Sequence, residues 1–126
     1  MEETIRILVV DDEPDIRRIC RILLENSGYT VLEAATGLEA VETIRRCPEI
    51  DLILMDIMMP VMDGLTATKT IRSLKHPDAE TIPIIAMTAN AFRADKEKCL
   101  AAGMNAHLAN PIKIKNIKRI LCEYCV

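Results

Sequence analysis

Aromatic side chains are nearly missing from this chain, with no Trp, one Phe and two Tyr among 126 residues. A core of stacked or edge-to-face rings is therefore excluded. Half of the residues are hydrophobic, so the interior must be aliphatic, made of Ile, Leu, Val, Met and Ala. An excess of positive charge is also missing. The net charge is −3, which leaves no basic footprint and speaks against direct nucleic-acid binding. No apolar run approaches the roughly 20 residues that a membrane span needs; the longest, such as residues 7–10 and 52–55, are strand-sized. No charged segment followed by an apolar stretch opens the chain, so neither signal peptide nor membrane association is expected, and the default location is cytoplasmic. A disulfide framework is missing too. Cys20, Cys47, Cys99, Cys122 and Cys125 form an odd, scattered set. Cys122 and Cys125 make a C-x-x-C, but with no second pair, no nearby His and no strand leading in, they read as two thiols on adjacent turns of a terminal helix. No linker, repeat or low-complexity tract divides the chain, and residues 1–126 are expected to form a single domain.

What is present is a rhythm of strand, then helix. Residues 5–10 are apolar apart from Arg6 and fit a strand buried on both faces. Pro14 suits the first turn of a helix, and Ile16, Ile19, Cys20, Leu23 and Leu24 follow with the spacing of one helix face. Asn26, Ser27 and Gly28 end it. Residues 30–34 are a second strand. Thr36 and Glu39 have capping-box spacing, and Leu38, Val41 and Ile44 mark a second helix ended by Pro48. Residues 52–55 are a third strand followed by Asp56; Asp63 is a plausible N-cap for a helix through Leu65, Thr68 and Ile71. Residues 82–87 are a fourth strand with Pro83 near its start, 94–102 a fourth helix stopped by Gly103, 106–109 a fifth strand, and Ile114, Ile117, Leu121 and Tyr124 line a fifth helix. Five such units predict an α/β fold, a doubly wound parallel sheet with helices on both faces. Five strands favour the flavodoxin-like order 2-1-3-4-5.

In such a sheet, ligands bind beyond the carboxyl ends of the strands at the switch point, here between the first and third strands. Asp11 and Asp12 end the first strand and Asp56 ends the third, so three carboxylates converge on one crevice. Crowded carboxylates cannot all stay ionised without compensation. A hard divalent cation resolves this, and Mg2+ takes such oxygens together with waters and a phosphate oxygen. Single Asp residues often cap helices, which accounts for Asp63 but poorly for three on neighbouring strand ends. A carboxylate beside a metal can also be a nucleophile that forms an aspartyl phosphate. Asp56, the central one, is the candidate, with Asp11 and Asp12 holding metal. Thr88, at the end of the fourth strand, could donate its hydroxyl to a phosphoryl oxygen, with Ala89 leaving the approach open; a Thr ending a strand is also common for local reasons alone. Asn110 ends the fifth strand.

Three segments carry a family resemblance: Ile-Leu-Val-Val-Asp-Asp-Glu-Pro (7–14), Leu-Met-Asp-Ile-Met-Met-Pro-Val-Met-Asp-Gly (54–64) and Ile-Ile-Ala-Met-Thr-Ala-Asn-Ala (84–91). Together they resemble the receiver domain of two-component response regulators, over essentially the whole chain. Met-Thr-Ala-Asn-Ala-Phe (87–92), Cys-Leu-Ala-Ala-Gly-Met (99–104) and His-Leu-Ala-x-Pro-Ile (107–112) are similar to receivers attached to hybrid histidine kinases. The resemblance implies a phosphoacceptor domain of a phosphorelay, not an enzyme beyond self-directed phosphoryl transfer and autodephosphorylation. Its partner is a histidine kinase or histidine phosphotransfer domain, and its cofactor is Mg2+. It makes Asp56 the phosphoacceptor, adds the backbone carbonyl of Met58 to Asp11, Asp12 and Asp56 as metal ligands, and makes Thr88 the switch hydroxyl. His107 stands where the family often has the Tyr or Phe that turns inward; it also fits a half-exposed edge-strand residue. The change is expected on the helix 4–strand 5–helix 5 face, through which a homodimer could form.

Asn110 departs from the family, which has Lys before this Pro. An amide supplies donors but no charge. One reading keeps phosphorylation, with the metal providing most of the neutralisation. The other makes the chain an atypical receiver acting as a phosphate-independent interaction module. Lys113 could reach back as a substitute, or be a solvated residue opening the last helix. A phosphatase-like hydrolase is a third possibility, but the position two after Asp56 is Met58, not a second acid. A flavin carrier is disfavoured because the first strand–helix loop is acidic and repels a phosphate.

Overall fold

The computed structural model describes residues 5–46, 49–56, 64–74, 81–88, 93–109 and 113–124. In chain order the elements are β1 (Arg6–Val10), α1 (Pro14–Asn26), β2 (Thr30–Ala34), α2 (Gly37–Arg46), β3 (Leu52–Asp56), α3 (Gly64–Arg72), β4 (Ile84–Thr88), α4 (Arg93–Ala102), β5 (Ala106–Ala109) and α5 (Ile114–Tyr124). The strands form one sheet in the order β2-β1-β3-β4-β5, and every neighbouring pair is parallel. This is the flavodoxin-like arrangement that the alternation of strands and helices predicts.

Side chains on successive strand residues point to opposite faces, and here they divide two aliphatic cores. Leu8, Val10, Ile53 and Met55 pack with Ala40, Val41 and Ile44 of α2, Ala67 and Ile71 of α3 and Cys99 of α4. Ile7, Val9, Leu52 and Leu54 pack with Cys20 and Leu24 of α1 and with Ile117, Ile120 and Leu121 of α5. The sheet therefore lies between α1 and α5 on one side and α2, α3 and α4 on the other. Each fully buried Ile or Leu stabilises the fold by roughly 1.5–3 kcal/mol relative to leaving it in water.

Helix ends follow their punctuation. After α1, the Gly28 amide donates to the Glu25 carbonyl at 3.0 Å and the Tyr29 amide to that of Leu24 at 3.1 Å. After α4, the Gly103 amide reaches Leu100 at 3.1 Å and the Met104 amide reaches Cys99 at 3.0 Å. Both are Schellman closures, which need a left-handed residue; Gly28 and Gly103 supply it at φ 93° and 106°. At the start of α2, the Glu39 amide donates to Thr36 Oγ1 at 3.0 Å, while the Glu39 carboxylate accepts from the Ala35 amide rather than from Thr36's own.

Three details differ from the sequence expectation. Ile19 is 46% exposed and Leu38 60% exposed. At about 100° per residue, Ile19 lies at the flank of the stripe centred on Cys20 and Leu24. Leu38 similarly falls outside the face made by Gly37, Ala40, Val41 and Ile44. The fourth strand begins at Ile84, not Ile82. Pro83 precedes it, and its carbonyl accepts from the Ile53 amide at 2.9 Å. The capping role expected of Asp63 and the helix stop at Pro48 lie outside the described residues.

A clamp ties α3 to the loop before β5. The Arg72 guanidinium donates to the Gly103 carbonyl at 2.8 and 3.0 Å, to Ile82 at 2.7 Å and to Asn105 Oδ1 at 2.8 Å. The same Asn105 Oδ1 accepts from the Ile84 amide at 2.9 Å.

Candidate functional site

Strand register brings the acidic residues together. Val10 pairs with Met55, so the residues that follow, Asp11 and Asp56, reach the carboxyl edge of the sheet side by side. Asp12 comes next. One carboxylate oxygen from each of Asp11, Asp12 and Asp56 lies within 4.8 Å of the other two. Asp11 is buried, Asp56 half-buried and Asp12 exposed, so the cluster runs from the protein interior into water. On the other side of Asp56, Met87 is its register partner, which puts Thr88 at the end of β4 one residue further on. Thr88 in turn pairs with Ala109.

Local chemistry turns Asp11 into this crevice. Its amide continues the ladder to the Ala34 carbonyl at 3.1 Å. Its Oδ1 accepts from the Glu13 amide at 2.9 Å, an Asx-turn of the kind that redirects a chain sharply. That turn, with Pro14 opening α1, converts the end of β1 into a helix start without a capping side chain. Burial raises the Asp11 carboxyl above its ordinary value, and the nearby charges of Asp12 and Glu13 and a hydrogen bond with Asp12 push the same way. The Glu13 amide opposes them. All three side chains offer hard oxygens and none offers nitrogen or sulfur, a donor set that suits Mg2+.

The remaining expected positions fall as follows. His107 is half-buried on the edge strand β5, opposite Ala86. Lys113 is exposed and its carbonyl opens α5, accepting from the amides of Asn116 and Ile117. Met58, Ala89 and Asn110 lie outside the described residues. Of the cysteines, Cys20 and Cys99 are buried thiols and Cys122 is exposed; Cys47 and Cys125 lie outside the described residues.

Around Asp11 stands a shell that the sequence did not suggest. Arg17 Nη1 donates to the Asp11 backbone carbonyl at 2.7 Å, and Arg17 Nε to Glu33 Oε1 at 3.2 Å. Arg21 pairs with the other oxygen of Glu33. The only hint in the chain is an Arg one turn into α1, and its partners lie on a different element.

Fold and crevice together define a class, a flavodoxin-like α/β protein whose switch point is acidic where a flavin carrier would receive a phosphate. Within that class, residues 7–121 match the response regulator receiver domain, and the chain belongs to that family. The signal transduction histidine-protein kinase BarA of Escherichia coli K12 is 41% identical over 118 residues, 94% of this chain. The chain spans only 12% of BarA's length. The receiver domain of the sensor histidine kinase PA1611 from Pseudomonas aeruginosa PAO1 is 41% identical, with a TM-score of 0.85 over 97% of this chain and 98% of that one. That structure holds a magnesium ion coordinated in its active site cleft. The receiver domain of the Saccharomyces cerevisiae response regulator Ssk1, crystallised with the histidine phosphotransfer signaling protein Ypd1, is 27% identical. Its TM-score is 0.83 over 98% of this chain and 90% of that one.

Proposed function

We propose that residues 1–126 act as one cytoplasmic receiver domain, accepting a phosphoryl group on Asp56 from the phosphohistidine of a kinase or phosphotransfer partner. The observation that carries this reading is the convergence of Asp11, Asp12 and Asp56 within 4.8 Å at the switch point. A Mg2+ ion held by these three carboxylates and the Met58 carbonyl would offset the charge between the acceptor and the incoming phosphoryl oxygens. Asp56 supplies the attacking oxygen. A P–O bond forms as the P–N bond to the donor imidazole breaks, and the imidazole leaves with the bonding pair. Asp11, held by its turn, keeps its carboxylate beside Asp56. The Thr88 hydroxyl donates to a phosphoryl oxygen, His107 follows it, and the change is read on the α4, β5 and α5 face by a partner or a second copy. The pairing of the similar Ssk1 receiver with Ypd1 supports the choice of partner.

The test is incubation with acetyl phosphate and Mg2+, followed by intact-mass measurement. One added phosphoryl group on the natural sequence and none on Asp56→Asn is the expected result. If Asn110→Lys incorporates phosphate and the natural sequence does not, the phosphate-independent reading replaces this one.

A further inference from the structure

Arg17 is the one guanidinium that touches a residue of the acidic crevice among the described hydrogen bonds, and it does so through the backbone. Its Nη1 donates to the Asp11 carbonyl at 2.7 Å, while its Nε rests on Glu33 Oε1 at 3.2 Å. The Arg17 side chain is 17% exposed, so little water competes for either bond. Glu33 is itself held from the other side by Arg21, which also donates to the Val31 carbonyl at 3.3 Å. The line Arg21–Glu33–Arg17 thus runs from α1 across β2 and ends on the peptide between Asp11 and Asp12. With the Asp11 amide on Ala34 and Asp11 Oδ1 on the Glu13 amide, this residue is held by its donor, its carbonyl and its side chain at once.

We infer that Arg17 is a positioning residue for divalent-cation binding: it fixes the Asp11–Asp12 peptide so that both carboxylates face one ion, and Glu33 keeps it aimed. This rests on the Mg2+ reading given above. Groups that orient metal ligands from behind typically change affinity by about 10–100-fold when removed. Two physical effects of Arg17 oppose each other, which makes the inference sharp. As a positive charge near the crevice, Arg17 repels a cation, so removing it should tighten binding on charge alone. As a holder of the peptide, its removal should weaken binding.

The experiment is calorimetric titration with Mg2+ alone, on the natural sequence, Arg17→Gln, Arg17→Lys and Glu33→Gln, with urea unfolding of each in chelator to report folding. Arg17→Gln is expected to raise the Mg2+ dissociation constant roughly ten-fold, with partial recovery in Arg17→Lys, whose single ammonium reaches one acceptor but lacks the fork. Glu33→Gln, which leaves the Asp11 contact in place, is expected to weaken binding by a smaller factor and serves if Arg17→Gln does not fold. Unchanged or tighter Mg2+ binding in folded Arg17→Gln, or in Glu33→Gln where that is the variant available, overturns the inference and leaves the metal reading standing. No Mg2+ binding by the natural sequence overturns both.

Discussion

Substituting Asp11 by Asn should make the metal-free protein more stable and the Mg2+-loaded protein less so. Three carboxylate oxygens lie within 4.8 Å of one another. At that separation each ionised pair repels by about 0.9 kcal/mol at the dielectric of water and about 3.5 kcal/mol at an effective dielectric of 20. Asp11→Asn removes two of the three pairs and keeps an oxygen for the Glu13 amide. Asp12 is exposed, so the lower figure suits the Asp11–Asp12 pair; taking it for the Asp11–Asp56 pair as well gives a lower bound of about 2 kcal/mol of stabilisation without metal. Salt does not erase it, because the spacing is below the Debye length of about 10 Å at 0.1 M. The pH dependence has a defined sign. Asp11 is held above its ordinary value of 3.8. The repulsion it causes is therefore absent below that value and grows as the pH rises through the folded-state pKa. The gain from Asp11→Asn should thus vanish in acid and be full at neutral pH. With Mg2+ at a hundred times its dissociation constant, the natural sequence gains about 2.7 kcal/mol, enough to overtake the variant at that lower bound. Urea unfolding in chelator and in Mg2+, at two pH values, reads all of this. A variant that is less stable than the natural sequence in chelator at neutral pH refutes the electrostatic account of the crevice.

Arg72→Met should cost about 2–4 kcal/mol, because it strips the donor from the carbonyls of Ile82 and Gly103 and from Asn105 Oδ1; a loss under about 0.5 kcal/mol in urea unfolding contradicts the clamp. Gly103→Ala should destabilise more than Gly28→Ala. Both residues have positive φ, but a Cβ at 103 meets Arg72 Cγ at 3.1 Å whereas one at 28 meets nothing within 4 Å. Equal melting points for the two variants would show that backbone strain alone decides. Burial, followed by the charges of Asp11 and Glu33, pushes the Cys20 thiol up from 9.0 to about 11. Alkylation at pH 8 should therefore label Cys122 and spare Cys20. By linkage, the stability that the protonated Cys20 thiol confers is full below pH 9.0 and lost as the pH rises through about 11; Cys20→Ala should flatten that part of the stability curve.

Much of the architecture was legible because parallel strands buried on both faces read as apolar runs. Residues 7–10 and 52–55 are examples, and Asp11, Asp12 and Asp56 announced themselves by standing at the ends of such runs. The legible part stops where contacts are long-range. Pro83 looked tolerable inside the fourth strand, yet the strand starts after it, because the ladder uses its carbonyl and not a donor it lacks. Ile19 and Leu38 counted as core by type, and their helix angles turn them outward. Arg17 and Glu33 are sixteen residues apart, and nothing in either neighbourhood reveals that they meet behind Asp11. Arg72 and Asn105 are hidden for the same reason.

The strand β3 is apolar on both faces, so sliding it by one residue exposes nothing: Leu, Ile, Leu and Met simply exchange cores. Its register must be enforced at its tips. Asp51 stands just before it, its carboxylate accepting from the Arg6 amide at 2.9 Å and its own amide donating to the Arg6 carbonyl at 2.9 Å, and Asp56 closes the other end. A slip in either direction drags one of these charges toward the sheet interior, at a cost of several kcal/mol. Asp56 therefore serves twice, once as the residue that chemistry would use and once as the stop that keeps β3 in frame. A chain misregistered there carries Asp56 away from Asp11 and Asp12, so the acidic crevice is lost together with the register.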